Sequence, residues 1–146
     1  MRNASKNCMD LVMRFEGFSS RVYRCPAGYP TIGYGHMLKE SETGLYPEDI
    51  SNEAAILLLE KDLRIASSAV CRLVNIGLSE GQFDALVSFT FNLGSAAFQR
   101  STLRQKVNRE EHGQAIHEFP KWVWAGGCKQ KGLIRRRYAE ARLYGA

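Results

Sequence analysis

Three side chains able to do acid–base work stand close together in the chain: Glu16, Cys25 nine residues later, and Thr31 six after that. A carboxyl that keeps its proton is a general acid, and a thiolate or hydroxyl facing it can activate and orient water. Together they supply what inverting glycoside hydrolysis demands. An acid protonates the leaving oxygen, while a base set further away activates water on the opposite face of the sugar. Each group also has a plainer reading: Glu16 as a partly exposed helix end, and Cys25 as a packed thiol that leaves Thr31 to hold the water alone.

The surrounding elements decide whether these groups can meet. From Ser5 to Glu16, Cys8, Leu11, Val12 and Phe15 share one helical face and Gly17 suits a left-handed stop, which predicts a helix over 5–16. At its C-terminus the macrodipole disfavours a carboxylate on Glu16, and Phe15 and Phe18 are expected to desolvate it, both favouring the protonated acid. The stretches SSRVYR and TIGYG, parted by Cys25-Pro26-Ala27-Gly28, predict a hairpin that folds Cys25 and Thr31 back toward Glu16, in a β lobe over 17–50.

Ser51 caps a long linking helix over 52–74, with Ile56, Leu59, Leu63, Ala66, Val70 and Leu73 on one stripe. Ser79-Glu80-Gly81-Gln82 opens a second helix carrying Phe83, Leu86, Val87 and Phe91, closed by Gly94. Helices over 101–111 and 113–119, a break at Pro120, an aromatic turn over 122–127 and a basic helix over 131–143 complete the reading, with Trp122 and Trp124 assigned to the core. The fold class is α+β: one domain over 1–146, with a small N-terminal sheet lobe, a helical lobe over 79–146 and a cleft between them.

Composition narrows the partners. The chain is 45% hydrophobic and 24% charged, ordinary for a globular protein, and its net charge of +5 favours an anionic partner such as nucleic acid, an acidic membrane surface or a cell-wall polymer. It has no interleaved basic and aromatic surface pattern or module for nucleic acid, so no such partner is expected. No apolar run reaches the roughly 20 residues that span a bilayer, and residues 1–10 lack the apolar stretch of a signal peptide, so accumulation in the cytoplasm is expected. Cys8, Cys25, Cys71 and Cys128 lack metal-ligand spacing and are expected as free thiols, with Cys25 able to pair with another cysteine in an oxidising periplasm.

Glu16, Cys25 and Thr31 also match a known spacing: Glu, eight residues, Asp or occasionally Cys, five residues, then Thr. With the trailing TIGYGH (31–36), FNLG (91–94) and GLIRRRYAE (132–140), the chain resembles the T-even phage type of lysozyme over nearly its whole length. The resemblance implies a lysozyme-like fold and a muramidase that hydrolyses the β-1,4 bond between N-acetylmuramic acid and N-acetylglucosamine in peptidoglycan, as a monomer without cofactor or metal. It further implies that Met37, Phe91 and Thr102 line the sugar groove and that His36 and Asp62 form a structural pair tying sheet to linking helix. An arginine of the final helix approaches the acid in related enzymes, and Arg136 is its match, although the run Arg135-Arg136-Arg137 also reads as a solvated face. Lacking an export segment, such an enzyme is expected to depend on a holin to leave the host cytoplasm for the wall.

The departure from the usual pattern is Cys25 in place of Asp. It leaves room for a lytic transglycosylase, which cleaves the same bond with one acid and forms an anhydro sugar. A catalytically silent cationic wall-binding protein would need only the net charge and the basic final helix.

Overall fold

In the computed structural model, which describes residues 1–146, helix α1 (Lys6–Glu16) comes first. The Ser5 hydroxyl accepts from the Asn7 amide, and Ser5 donates its own amide and hydroxyl to Asp84. Cys8 and Val12 are buried. Gly17 leaves the helix at φ 70° with its N–H on the Met13 carbonyl, a conformation in which a Cβ is strained, so the helix stops at Glu16.

Strands β1 (Ser19–Arg24), β2 (Pro30–Gly33) and β3 (His36–Met37) form an antiparallel sheet in that order, with Tyr23 opposite Thr31 and Thr31 opposite Met37. The expected hairpin is thus one strand short. TIGYG does not run on as a strand, because Tyr34-Gly35 turns the chain after Gly33 into β3.

The sheet rests on helix α2 (Asn52–Leu73), where the Ser51 hydroxyl caps the Ala54 amide and Ala55, Leu59, Leu63, Ala66, Val70 and Leu73 are buried. The same helix continues against α3 (Glu80–Leu93) and α4 (Ser95–Arg100), so one rod joins both lobes. Every residue of α3 from Phe83 to Thr90 is buried. A helix enclosed on all sides carries its polar groups into the core, where they need partners. Asp84 meets Ser5, and Ser88 meets Glu140.

The remaining helical lobe is more divided than the sequence suggested. Helix α4 was not anticipated, because Gly94 starts it without a side-chain cap. The helix expected over 101–111 is α5 (Thr102–Asn108), and the one over 113–119 is α6 (His112–Ala115) running into a 3₁₀ helix, Ile116–Lys121. Pro120 lies within that 3₁₀ helix rather than breaking the chain, which closes its turn through the Trp122 amide on the Phe119 carbonyl. Strands β4 (Trp124–Ala125) and β5 (Cys128–Lys129) replace the aromatic turn. Trp122 packs edge-on to Phe89 at 5.5 Å, but Trp124 is 60% exposed and is no part of the core. Helix α7 (Lys131–Gly145) then packs along α3. No helix is long and apolar enough to cross a membrane.

His36 clasps the sheet to α2. Its Nδ1 lies 2.7 Å from Asp62 Oδ2 and its Nε2 lies 2.9 Å from Glu42 Oε2. Both partners are carboxylates, so both ring nitrogens donate and the ring is an imidazolium. Glu42, which the sequence did not single out, is the third member. The bond to Asp62 raises the His36 pKa above its ordinary 6.5, burial opposes this, and Glu42 adds to the rise. For Glu42, burial raises the pKa, but the Lys39 amide and His36 outweigh it and bring it below 4.5. The clasp is therefore complete between these two ordinary values. Its stabilisation fades as pH rises through the raised His36 pKa or falls through the lowered Glu42 pKa. Thermal unfolding should show Tm declining above pH 6.5 more steeply in the wild type than in His36→Gln; parallel declines would contradict the imidazolium clasp.

Candidate active site

The Glu16 side chain is 19% exposed at the end of α1, and its carboxylate meets the far end of the sequence. Arg136 Nη1 of α7 donates to Glu16 Oε2 at 2.5 Å, and Arg136 is itself 3% exposed. The three-arginine run splits: Arg135 is exposed, while Arg136 and Arg137 are buried on the face that α7 turns to α3. The solvated-face reading holds for Arg135 alone.

Gly35, in the turn between β2 and β3, touches the same carboxyl. A Cβ there would stand 2.5 Å from Glu16 Oε1, and the backbone has φ 76°, so only glycine allows this turn to press against the acid. The sequence reading had placed Gly35 in a strand; its signal was the second glycine of Gly33-Tyr34-Gly35. Phe18, expected to desolvate the acid, is instead 45% exposed with its ring centroid 5.6 Å from that of Tyr34.

Cys25 opens the turn between β1 and β2, where its amide donates to the Tyr29 carbonyl at 2.9 Å and its carbonyl accepts from the Gly28 amide at 2.7 Å. Burial raises the thiol, but the amides of Tyr29, Ala27 and Gly28 and the Thr31 hydroxyl favour the thiolate and bring it below its ordinary 9.0. The cationic Arg21 and Arg24 of β1 are engaged elsewhere. Arg21 Nε pairs with Asp49 at 2.6 Å, and Arg24 Nη1 donates to the Gly28 carbonyl at 2.7 Å. Thr31 is 2% exposed, with its hydroxyl also 3.0 Å from the Tyr29 carbonyl.

Tyr23, not anticipated, links the two halves of the site. Burial raises its phenol first, and the negative charges of Glu16 and Cys25 raise it further, so one side chain lies in the field of both groups. Met37 is 54% exposed and sits on β3 directly opposite Thr31 of β2. Phe91 is partly buried against the core, with its ring centroid 5.9 Å from the Arg136 guanidinium carbon. Thr102 is the exposed first residue of α5 and is not drawn into these contacts. Of the other thiols, Cys8 is fully buried and pushed up to about 12 by burial and by Asp84, which removes it as a reactive partner for Cys25.

Residues 13–140 match the protein family described as phage lysozyme. The chain is 37% identical to an endolysin of Bacillus phage B103 over 97% of its own length, spanning 54% of that protein. It is 34% identical to the endolysin of Salmonella phage P22, with 97% of each chain covered. Among solved structures, the muramidase domain of SpmX from Asticaccaulis excentricus superposes with a TM-score of 0.88 at 33% identity, covering 100% of this chain and 99% of that one.

Substituting Gly35→Ala should cost about 1–3 kcal/mol for the strained φ. Because the added Cβ displaces the acid, it should also lower lytic activity on the order of 100-fold. Thermal unfolding and turbidity clearing of permeabilised cells measure the two effects; wild-type clearing by the variant would contradict the close contact.

Proposed function

The chain belongs to the phage lysozyme family, and from that premise we propose that it is an endolysin that hydrolyses the β-1,4 bond between N-acetylmuramic acid and N-acetylglucosamine in peptidoglycan. The supporting observation is the setting of Glu16, held between Arg136 and Gly35, with Tyr23 in the field of both Glu16 and the Cys25 thiol.

In the proposed reaction Glu16 gives its proton to the glycosidic oxygen as the C–O bond breaks, and positive charge develops on the sugar ring. Water held by Thr31 attacks the anomeric carbon from the opposite face and passes a proton to the Cys25 thiolate. One water is consumed, the anomeric configuration inverts, and the later exchange of protons with solvent restores both groups. Arg136 steadies the Glu16 carboxylate left behind. Met37 and Phe91 are assigned to the sugar groove, with Thr102, outside the contacts of this centre, as the weaker candidate. No cofactor takes part. The working form is assigned as a monomer that reaches the wall from the host cytoplasm after a holin lesion.

Turbidity clearing of outer-membrane-permeabilised cells separates the roles. Glu16→Gln should lose about 100- to 10,000-fold in rate. Wild-type activity should climb as pH rises through the lowered Cys25 pKa, whereas Cys25→Ser should lack that limb and iodoacetamide should suppress the wild type. Mass spectrometry of the released fragments should find water added. Anhydro products would instead identify a transglycosylase, and full clearing by Glu16→Gln would identify a non-enzymatic wall binder.

A further inference from the structure

Behind Arg136 lies a cluster of buried charge that the proposed reaction does not use directly. Glu140 is fully buried on α7, one turn beyond Arg136. Its Oε2 accepts from the Ser88 hydroxyl at 2.5 Å and from Arg136 Nε at 3.4 Å, and its Oε1 stands 3.1 Å from Arg137 Nε in an ionic contact. Arg136 Nη2 points at Ser88, 3.4 Å from both its carbonyl and its hydroxyl oxygen. The Ser88 oxygen therefore accepts from Arg136 and gives its own proton to Glu140. Burial is the largest influence on Glu140 and pushes its pKa above the ordinary 4.5, while the guanidinium groups of Arg137 and Arg136 and the Ser88 hydroxyl oppose it and favour the anion.

The result is a row of alternating charges, Glu16, Arg136, Glu140, Arg137, that begins at the partly exposed Glu16 and passes through the helical lobe, with Asn92 Oδ1 accepting from Arg137. A guanidinium that faced Glu16 alone would hold the acid as an anion and oppose proton donation. Here the same guanidinium is shared with a second carboxylate that never reaches solvent. We propose that Glu140 is a positioning residue for the reaction: from within the helical lobe it holds Arg136 in place and takes up part of its charge, so that Arg136 steadies Glu16 without fixing it as an anion.

The other charged or titratable groups facing this row do not supply that balance. Cys8 of α1 is buried with its thiol pushed up to about 12, and so is neutral. Asp84 of α3 is taken by the amide and hydroxyl of Ser5. Tyr23 of β1 has its phenol raised and stays protonated. Arg137, lowered to about 10 by burial and raised again by Glu140, remains a cation and adds to the positive side that Glu140 must offset.

The proposal rests on Glu16 being the acid. Its test is a carbon-13 titration of the Glu16 carboxyl in wild type and Glu140→Gln, with folding checked by circular dichroism. The Glu16 midpoint should fall by about one pH unit when the shared charge is removed. At a pH above the midpoint, kcat should drop about tenfold with KM unchanged. Glu140→Asp, which keeps the charge but withdraws it by one methylene, should shift the midpoint less and in the same direction, and serves as the test if the Gln variant fails to fold. An unmoved midpoint in a folded variant overturns the proposal, even if Tm falls, because a purely structural role accounts for that. Glu16→Gln clearing cells at the wild-type rate would overturn the acid assignment and this inference with it. An inactive Glu16→Gln together with an unmoved midpoint would sink Glu140's role alone.

Discussion

The contact between Glu16 and Arg136 joins two residues 120 positions apart, and most of the helical lobe is organised so that it can form. Helix α1 has to end at Glu16, which Gly17 ensures, and α7 has to bring a guanidinium to that end. Between them stands α3, which packs against both and lends Ser88 to the charged row. Burying an ion removes several kcal/mol of hydration, so such groups persist in a core only when each finds a partner of opposite sign or a hydrogen bond. The dense apolar packing around Phe89, Phe98, Phe119 and Tyr144 provides the stabilisation against which this burial is set.

On the other side of the cleft the constraint is different. Three strands, one of only two residues, could not hold a fixed shape in water by their own packing. The sheet gains its rigidity from α2 below it and from the clasp of His36, Asp62 and Glu42. His36 adjoins Gly35, so the clasp and the contact with the acid belong to one short stretch of backbone. Anything that loosens the clasp acts within one residue of the glycine that presses on the Glu16 carboxyl.

Much of this was legible in the chain. The stripe from Ile56 to Leu73, the Ser51 and Ser79 caps and the stop at Gly17 are local signals, and the corresponding helices form where those signals lie. Spacing alone linked Glu16, Cys25 and Thr31, and a family resemblance pointed to Arg136 and to the His36–Asp62 pair. What stayed hidden depends on contacts between distant segments. Gly35 could not be recognised as a site residue, because its role exists only against a carboxyl from another element. Glu140 and Arg137 read as ordinary charges on a basic helix, since periodicity does not reveal which face of α7 meets α3. Helix α4 was missed because it lacks a side-chain cap, and the Trp124 ribbon because two-residue strands leave no alternating pattern.

The position of Arg136 has a consequence for how the molecule comes to be active. Arg136 lies 120 positions after Glu16, so during synthesis the acid and the sheet emerge well before the guanidinium that completes their setting. Until α7 is in place, Glu16 lacks both Arg136 and the Ser88–Glu140 support behind it. The finished setting of Glu16 thus depends on α7 packing along α3, and fragments lacking α7 carry the familiar sequence motif without the electrostatic environment that gives it meaning.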